Sequence, residues 1–339
     1  MKSLYLLALG CSIAVATATD TLPAGMHRSN AIYSLHEGAT AGCTATLEAR
    51  ITDGDNVNAK DEMGNTPLIL AVLNGHADAA AILLEAGADP LTPDAAGRKP
   101  SELAGTDELR AVCMKGEAAR AKELELVAAV ADGDVQSVEA LLKEHVSPDA
   151  FTADNSKNAL ILAAQNGNTD IVERLLQAYA DVDAVSADKL TALHVAAAAD
   201  KPAVVTMLLA AGAEPMAQAG NGATPLHDAA WNGRLKAVEA LIPAYRDCNF
   251  CPDGRWLPSP VAMAITHGNA AMVRLFCENG YNPNVTRKRD DEPALITAVK
   301  SNRREIAEIL IKAGADKTAK DKEGKTAADY AEGDMKNLF

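Results

Sequence analysis

Cys248 and Cys251, in Cys248-Asn249-Phe250-Cys251, form the one local pattern in this chain with the spacing of a redox or metal-binding pair. A single C-x-x-C supplies two of the four ligands of a structural zinc, and Cys43, Cys113 and Cys277 offer no second pair to complete it. A thioredoxin-type thiol would open a helix, whereas Pro252-Asp253-Gly254 follows here, which is turn chemistry. In an oxidising compartment the spacing favours a short-loop disulfide; two free thiols, or a redox or metal role, are the other readings. The acids are no more catalytic in pattern. Asp228 and Glu239 read as solvated helix faces, and Asp290-Asp291-Glu292 reads as a solvated loop without the ligand spacing of a calcium site. There is no Gly-rich phosphate loop ending in Lys-Ser/Thr, no HExxH and no Gly-x-Ser-x-Gly. No catalytic residue, metal or cofactor is expected.

The elements that would position these groups recur at a fixed step. Thr224 is placed to cap a helix, Pro225 sits at the first helical position, and Leu226, Ala229 and Ala230 make an apolar face that ends at Gly233. A second helix follows, with Leu235, Val238, Leu241 and Ile242 on its buried side. Thr191-Ala192-Leu193-His194 lies 33 residues upstream, Leu160 lies 33 before Leu193, and Thr66-Pro67-Leu68 opens an earlier copy. Val261 and Leu295 continue the series at steps of 35 and 34. The second helices end alike in Leu83 to Asp89, Leu208 to Glu214 and Leu310 to Asp316. A period of 33 with a T-P-L-H core marks a helical solenoid.

The chain resembles the ankyrin-repeat family over nearly everything after residue 28. The resemblance implies an all-α solenoid of stacked helix-turn-helix units with short β-hairpin fingers. It also implies that the imidazoles of His194 and His227 tie neighbouring repeats together through backbone hydrogen bonds. Two abutting arrays are expected, at 28–116 and 117–339. Gly105 to Arg110 replaces a second helix with something shorter and polar, much as the chain's own end does, and a fresh helix over Glu117 to Ala131 would start the second array. One continuous stack with a degenerate repeat is the alternative. Pro243 should shorten its helix.

Residues 1–18 read as a secretory signal peptide: Lys2 gives a positive start, Leu4 to Val15 is apolar but too short to span a bilayer, and Ala16-Thr17-Ala18 offers small residues for cleavage. The mature chain is expected to be secreted or periplasmic. The full chain's formal net charge of −14 argues against nucleic acid or an anionic membrane surface as partner, and no other segment is apolar enough for membrane insertion.

In an ankyrin stack, fingers and the exposed edge of each first helix line a concave groove that holds a protein partner. Those edge positions are Leu73 and Asn74, Gln165 and Asn166, Ala198 and Ala199, Trp231 and Asn232, Thr266 and His267, and Lys300 and Ser301. The two tryptophans, Trp231 on an edge and Trp256 on a finger, fall on adjacent repeats and with His267 make the expected hot spot. Packing of Trp256 beneath its own enlarged finger is the alternative. Arg287-Lys288-Arg289 is a basic fingertip suited to an acidic contact or to plain solvation, and Asn284-Val285-Thr286 is a glycosylation sequon. The favoured function is a non-catalytic interaction scaffold. An accessory or protective subunit of an exported enzyme, and a redox or stress role for Cys248 and Cys251, remain as alternatives.

Overall fold

The computed structural model describes residues 34–246, 259–287 and 292–339. The expected signal peptide, Trp256, Cys248, Cys251, the Lys288-Arg289 fingertip and Asp290-Asp291 lie outside the described residues.

The chain forms two compact units, 1–122 and 123–339. The first contains helix pairs α1 (Leu35–Ala41) with α2 (Thr44–Thr52) and α3 (Pro67–Leu73) with α4 (Ala77–Glu85), then the short α5 (Pro100–Leu103). Its core is built from Leu35, Leu47, Leu68, Val72, Leu83 and Leu109. Helix α6 (Asp107–Asp132) runs for 26 residues. The sequence reading of a short polar finish, then a new helix at Glu117, is corrected here: one helix covers both stretches. Thr106 caps it by accepting from the Leu109 N–H at 3.2 Å. No proline interrupts it, and its single glycine, Gly116, is a close-approach site whose missing Cβ would lie 2.9 Å from Leu84 Cδ2. Alanine, leucine, glutamate, lysine and arginine fill the remaining turns and carry the helix through.

The second unit continues with α7 (Val135–Lys143), then pairs α8 (Ala159–Asn166) with α9 (Thr169–Gln177), α10 (Ala192–Ala198) with α11 (Pro202–Ala210), α12 (Pro225–Trp231) with α13 (Leu235–Arg246), and α14 (Pro260–His267) with α15 (Ala270–Glu278). It ends with α16 (Ala294–Lys300), α17 (Arg304–Lys312), the short α18 (Ala327–Tyr330) and a 3-10 turn over Gly333–Leu338. First helices stack on first helices, α8 on α10 on α12 on α14 on α16, and second helices stack likewise. Paired small residues make the close approach of first helices: Ala163 and Ala164, Ala196 and Ala197, Ala229 and Ala230 are all buried. The second helices bury residues at i, i+1 and i+4, as in Ile171, Val172 and Leu175, the narrow apolar stripe of an amphipathic helix.

Each layer is tied to the next by polar bonds. His194 Nδ1 lies 3.2 Å from the Thr191 N–H, which donates to it, so the ring proton sits on Nε2 and donates to the Ala223 carbonyl of the following layer at 3.1 Å. His227 repeats the local half of this pattern with Thr224, at 2.8 Å to the hydroxyl. At the finger bases, Asn58, Asp149, Asp183 and Asn284 each accept from a backbone N–H one repeat onward, at 2.7 to 2.9 Å. Most fingers are turns closed by one backbone bond, such as Asp61 N–H to the Asn65 carbonyl at 2.9 Å. Strand pairing among the described residues occurs at β1 (Thr286–Arg287) against β2 (Glu292–Pro293), antiparallel with Thr286 opposite Pro293, besides a lone bridge between Phe151 and Asn158.

Pro243 does not shorten its helix. Helix α13 runs 12 residues, where the other second helices of this unit run nine. Tyr245, one turn past the expected stop, is buried, donates its hydroxyl proton to the Pro215 carbonyl and accepts from the Leu226 N–H at 3.4 Å. Those anchors offset the hydrogen bond that proline removes.

Candidate functional site

In the second unit the exposed ends of successive first helices present Gln165 and Asn166, then Ala198 and Ala199, Trp231 and Asn232, Thr266 and His267, Lys300 and Ser301. Trp231 is 60% exposed, and His267 packs edge-on against it with ring centroids 5.0 Å apart at 83°. The two rings thus come from adjacent layers, α12 and α14, and the contact braces the indole while leaving much of it open to solvent.

Several edge side chains are already engaged. Asn232 Nδ2 donates to the Asp228 carbonyl at 2.8 Å, and Thr266 Oγ1 donates to the Ala262 carbonyl at 2.8 Å. Gln165 Oε1 accepts from Lys157 Nζ at 2.7 Å. These groups finish helix ends or fix a finger, so the edge offers a partner fewer free polar groups than sequence spacing suggests. In the first unit Leu73 is 50% exposed, and Asn74 Nδ2 donates to the Leu70 carbonyl at 2.8 Å.

At the far end of the second unit the edge is a closed network. Lys300 Nζ contacts Glu292 at 2.6 Å and Asp321 at 3.1 Å, and lies 4.1 Å from the Tyr330 ring centre. Thr297 also donates to Glu292, at 2.9 Å. These partners raise the Lys300 pKa, chiefly through the bond to Glu292, and the Tyr330 hydroxyl bond holds the Asp321 carboxyl down to about 2. Glu292 is 7% exposed, which corrects its reading as part of a solvated loop: a nearby lysine and a threonine replace its water.

Asp228 also departs from expectation. It is half-buried on α12 and burial pushes its pKa up to about 6. The positions equivalent to it on neighbouring first helices are Leu162, Val195, Met263 and Thr297, so it stands in an otherwise uncharged row. The row is visible in the sequence as one residue per repeat period. Glu239 is exposed, as expected. Cys277 is a free thiol, half-buried near the end of its helix. The sequon Asn284 engages the next layer with both side-chain atoms, accepting from the Asp316 N–H at 2.7 Å and reaching the Gly314 carbonyl at 3.5 Å. Among the described residues, no group of three or more His, Cys, Asp or Glu is arranged to hold a metal, and no helix is long and apolar enough to cross a membrane.

Comparison with known proteins gives one family. A model of ankyrin repeats in three copies matches residues 126–219 and 226–321, and a second ankyrin-repeat model matches 53–104. Among curated proteins, the human BCL-6 corepressor-like protein 1 is 35% identical over 85 residues, 25% of this chain and 5% of that protein. The human oxysterol-binding protein-related protein 1 is 35% identical over 79 residues, 23% of this chain and 8% of that protein. The chain therefore spans less than a tenth of either relative's length. Among solved structures, the ankyrin repeat domain of Bcl-3 superposes with a TM-score of 0.56 at 24% identity, covering 63% of this chain and 96% of that one. That of human ASB11 gives 0.53 at 24%, covering 63% and 95%. At that identity the likeness is one of fold. With family models matching most of the described sequence, and the same capped helix pair stacked layer after layer, the chain belongs to the ankyrin-repeat family.

Proposed function

We propose that this chain is a non-catalytic scaffold that captures a protein partner on the exposed ends of its first helices, outside the cytoplasm. Ankyrin repeats typically mediate protein–protein contact, which supports the class. The observation that carries the site is the exposed indole of Trp231, braced by His267 from the next layer. An indole held open to water is unfavourable for the free protein and is the commonest kind of anchor in an interface. A rigid stack also presents its side chains with little ordering cost on binding. Export rests on residues 1–18, whose basic start, short apolar run and small-residue finish have the form of a cleaved leader.

Affinity capture from the exported fraction, with wild-type and Trp231→Ala baits, tests the reading. A partner retained by wild type and lost with Trp231→Ala, at an unchanged melting temperature, supports it. Equal capture by both baits refutes the site. N-terminal sequencing of the protein in its native host tests export: a chain starting near Thr19 is expected, and an intact Met1 in the cytosolic fraction refutes it.

A further inference from the structure

The inference concerns the chemistry of the partner and rests on the binding site proposed above. Asp228 and Trp231 lie three residues apart on α12, so they share a face one turn apart. The Asp228 carboxylate makes no hydrogen bond and no ion pair among the described residues. Its row neighbours on α10 and α14 are Val195 and Met263, which supply neither charge nor donor. At the equivalent place on the neighbouring first helix, α10 ends in Ala198 and the following residue is Ala199, each with a single methyl group for a side chain.

Among the described residues, the arginines that follow α12 and α16 serve other groups. Arg234 Nε donates to the Ala198 carbonyl at 3.0 Å, and Arg303 Nη2 donates to the Thr266 carbonyl at 3.0 Å. Both complete the ends of first helices, where positive charge is favoured. The other imidazole close by, His227, turns to Thr224 through Nδ1.

A half-buried carboxylate with no counter-charge among the described residues is an unfavourable arrangement in a free protein, and it stands one turn from an open aromatic ring. We propose that the face shared by Asp228 and Trp231 receives a basic side chain, arginine in the first place, from the protein partner. The carboxylate supplies the charge-assisted acceptor and the indole the π face, and a planar guanidinium satisfies both at once. An acidic partner residue would add like charge, and an apolar one would deepen the desolvation of Asp228 without relieving it. The net charge of −14 draws a basic segment toward this surface.

The test is selection of displayed random peptides on the full chain, followed by measured affinities for wild type, Asp228→Asn and Trp231→Ala. Selected peptides should share an arginine or lysine. Replacing that residue by alanine, or Asp228 by asparagine, should each weaken binding by about ten-fold or more. Both changes together should weaken it little further, since they remove the same contact. Peptides that depend on Trp231 but carry no basic residue, or that ignore Asp228→Asn, overturn this inference and leave the binding site standing. Peptides that ignore Trp231→Ala, or failure to select any, overturn both.

Discussion

Replacing Asp228 with asparagine should stabilise the protein at neutral pH and slightly destabilise it in acid. Burial raises this carboxyl from 3.8 to about 6, with no favourable contact to offset it. The shift is about two units, and each unit is worth about 1.4 kcal/mol, so holding the charge in the fold costs about 3 kcal/mol. The pKa is raised on folding, so between pH 4 and 6 the folded chain keeps a proton that the unfolded chain has released. Stability from this group is complete below pH 4, falls as pH rises, and is lost above pH 6. Asparagine cannot ionise, but it still buries an amide at about 1 kcal/mol, which leaves a net gain of about 2 kcal/mol at pH 7.5. Urea unfolding followed by circular dichroism, at pH 4 and pH 7.5 for both proteins, isolates the effect, because every other titrating group cancels in the difference. A gain that is equal at the two pH values, or a loss at pH 7.5, refutes the reasoning.

His194→Ala leaves the Ala223 carbonyl and the Thr191 hydroxyl buried without their partner and should cost about 3 kcal/mol in urea unfolding. Tyr179 has φ 66° and is 91% exposed where Gly87 and Gly212 hold φ near 90°; Tyr179→Gly should add about 0.5–1 kcal/mol, read as a raised melting temperature. Cys113 is fully buried and burial, reinforced by Glu117, pushes its thiol up to about 11, so it should not react with a disulfide reagent at pH 8 until the protein is unfolded. Trp231→Ala should leave the melting temperature unchanged, because its side chain is mostly outside the core.

The stacked fold was legible because its signals are local and repeated. Thr191 and Thr224 as caps, Pro225 at the first helical position and Gly233 at the end each declare a helix boundary without help from distant residues. Legibility failed where a distant group overrides a local rule. Pro243 looks like a helix stop until Tyr245 is seen to be anchored on Pro215, thirty residues away. Glu292 looks solvated until Lys300 and Thr297 turn back onto it. Asp107 to Arg110 looks like a polar finish when read apart from the good helix formers that follow. The prominence of Trp231 could be read from its place in the repeat, whereas its brace by His267 required the spacing of adjacent layers. The isolation of Asp228 lay in the uncharged row from Leu162 to Thr297, one residue per period, a comparison down columns instead of along the chain.

The paired alanines of α8, α10 and α12 set the spacing of the proposed docking face. Each contributes a single methyl group, so the interval between Gln165, Ala198 and Trp231 is graduated by residues that touch no visitor. Thickening one of them, as in Ala197→Val, would act as a shim: it would splay the graduations on either side while every contact side chain stayed the same. If the proposed face binds as inferred, preference for one visitor over another would drift through changes of a single carbon in the seams.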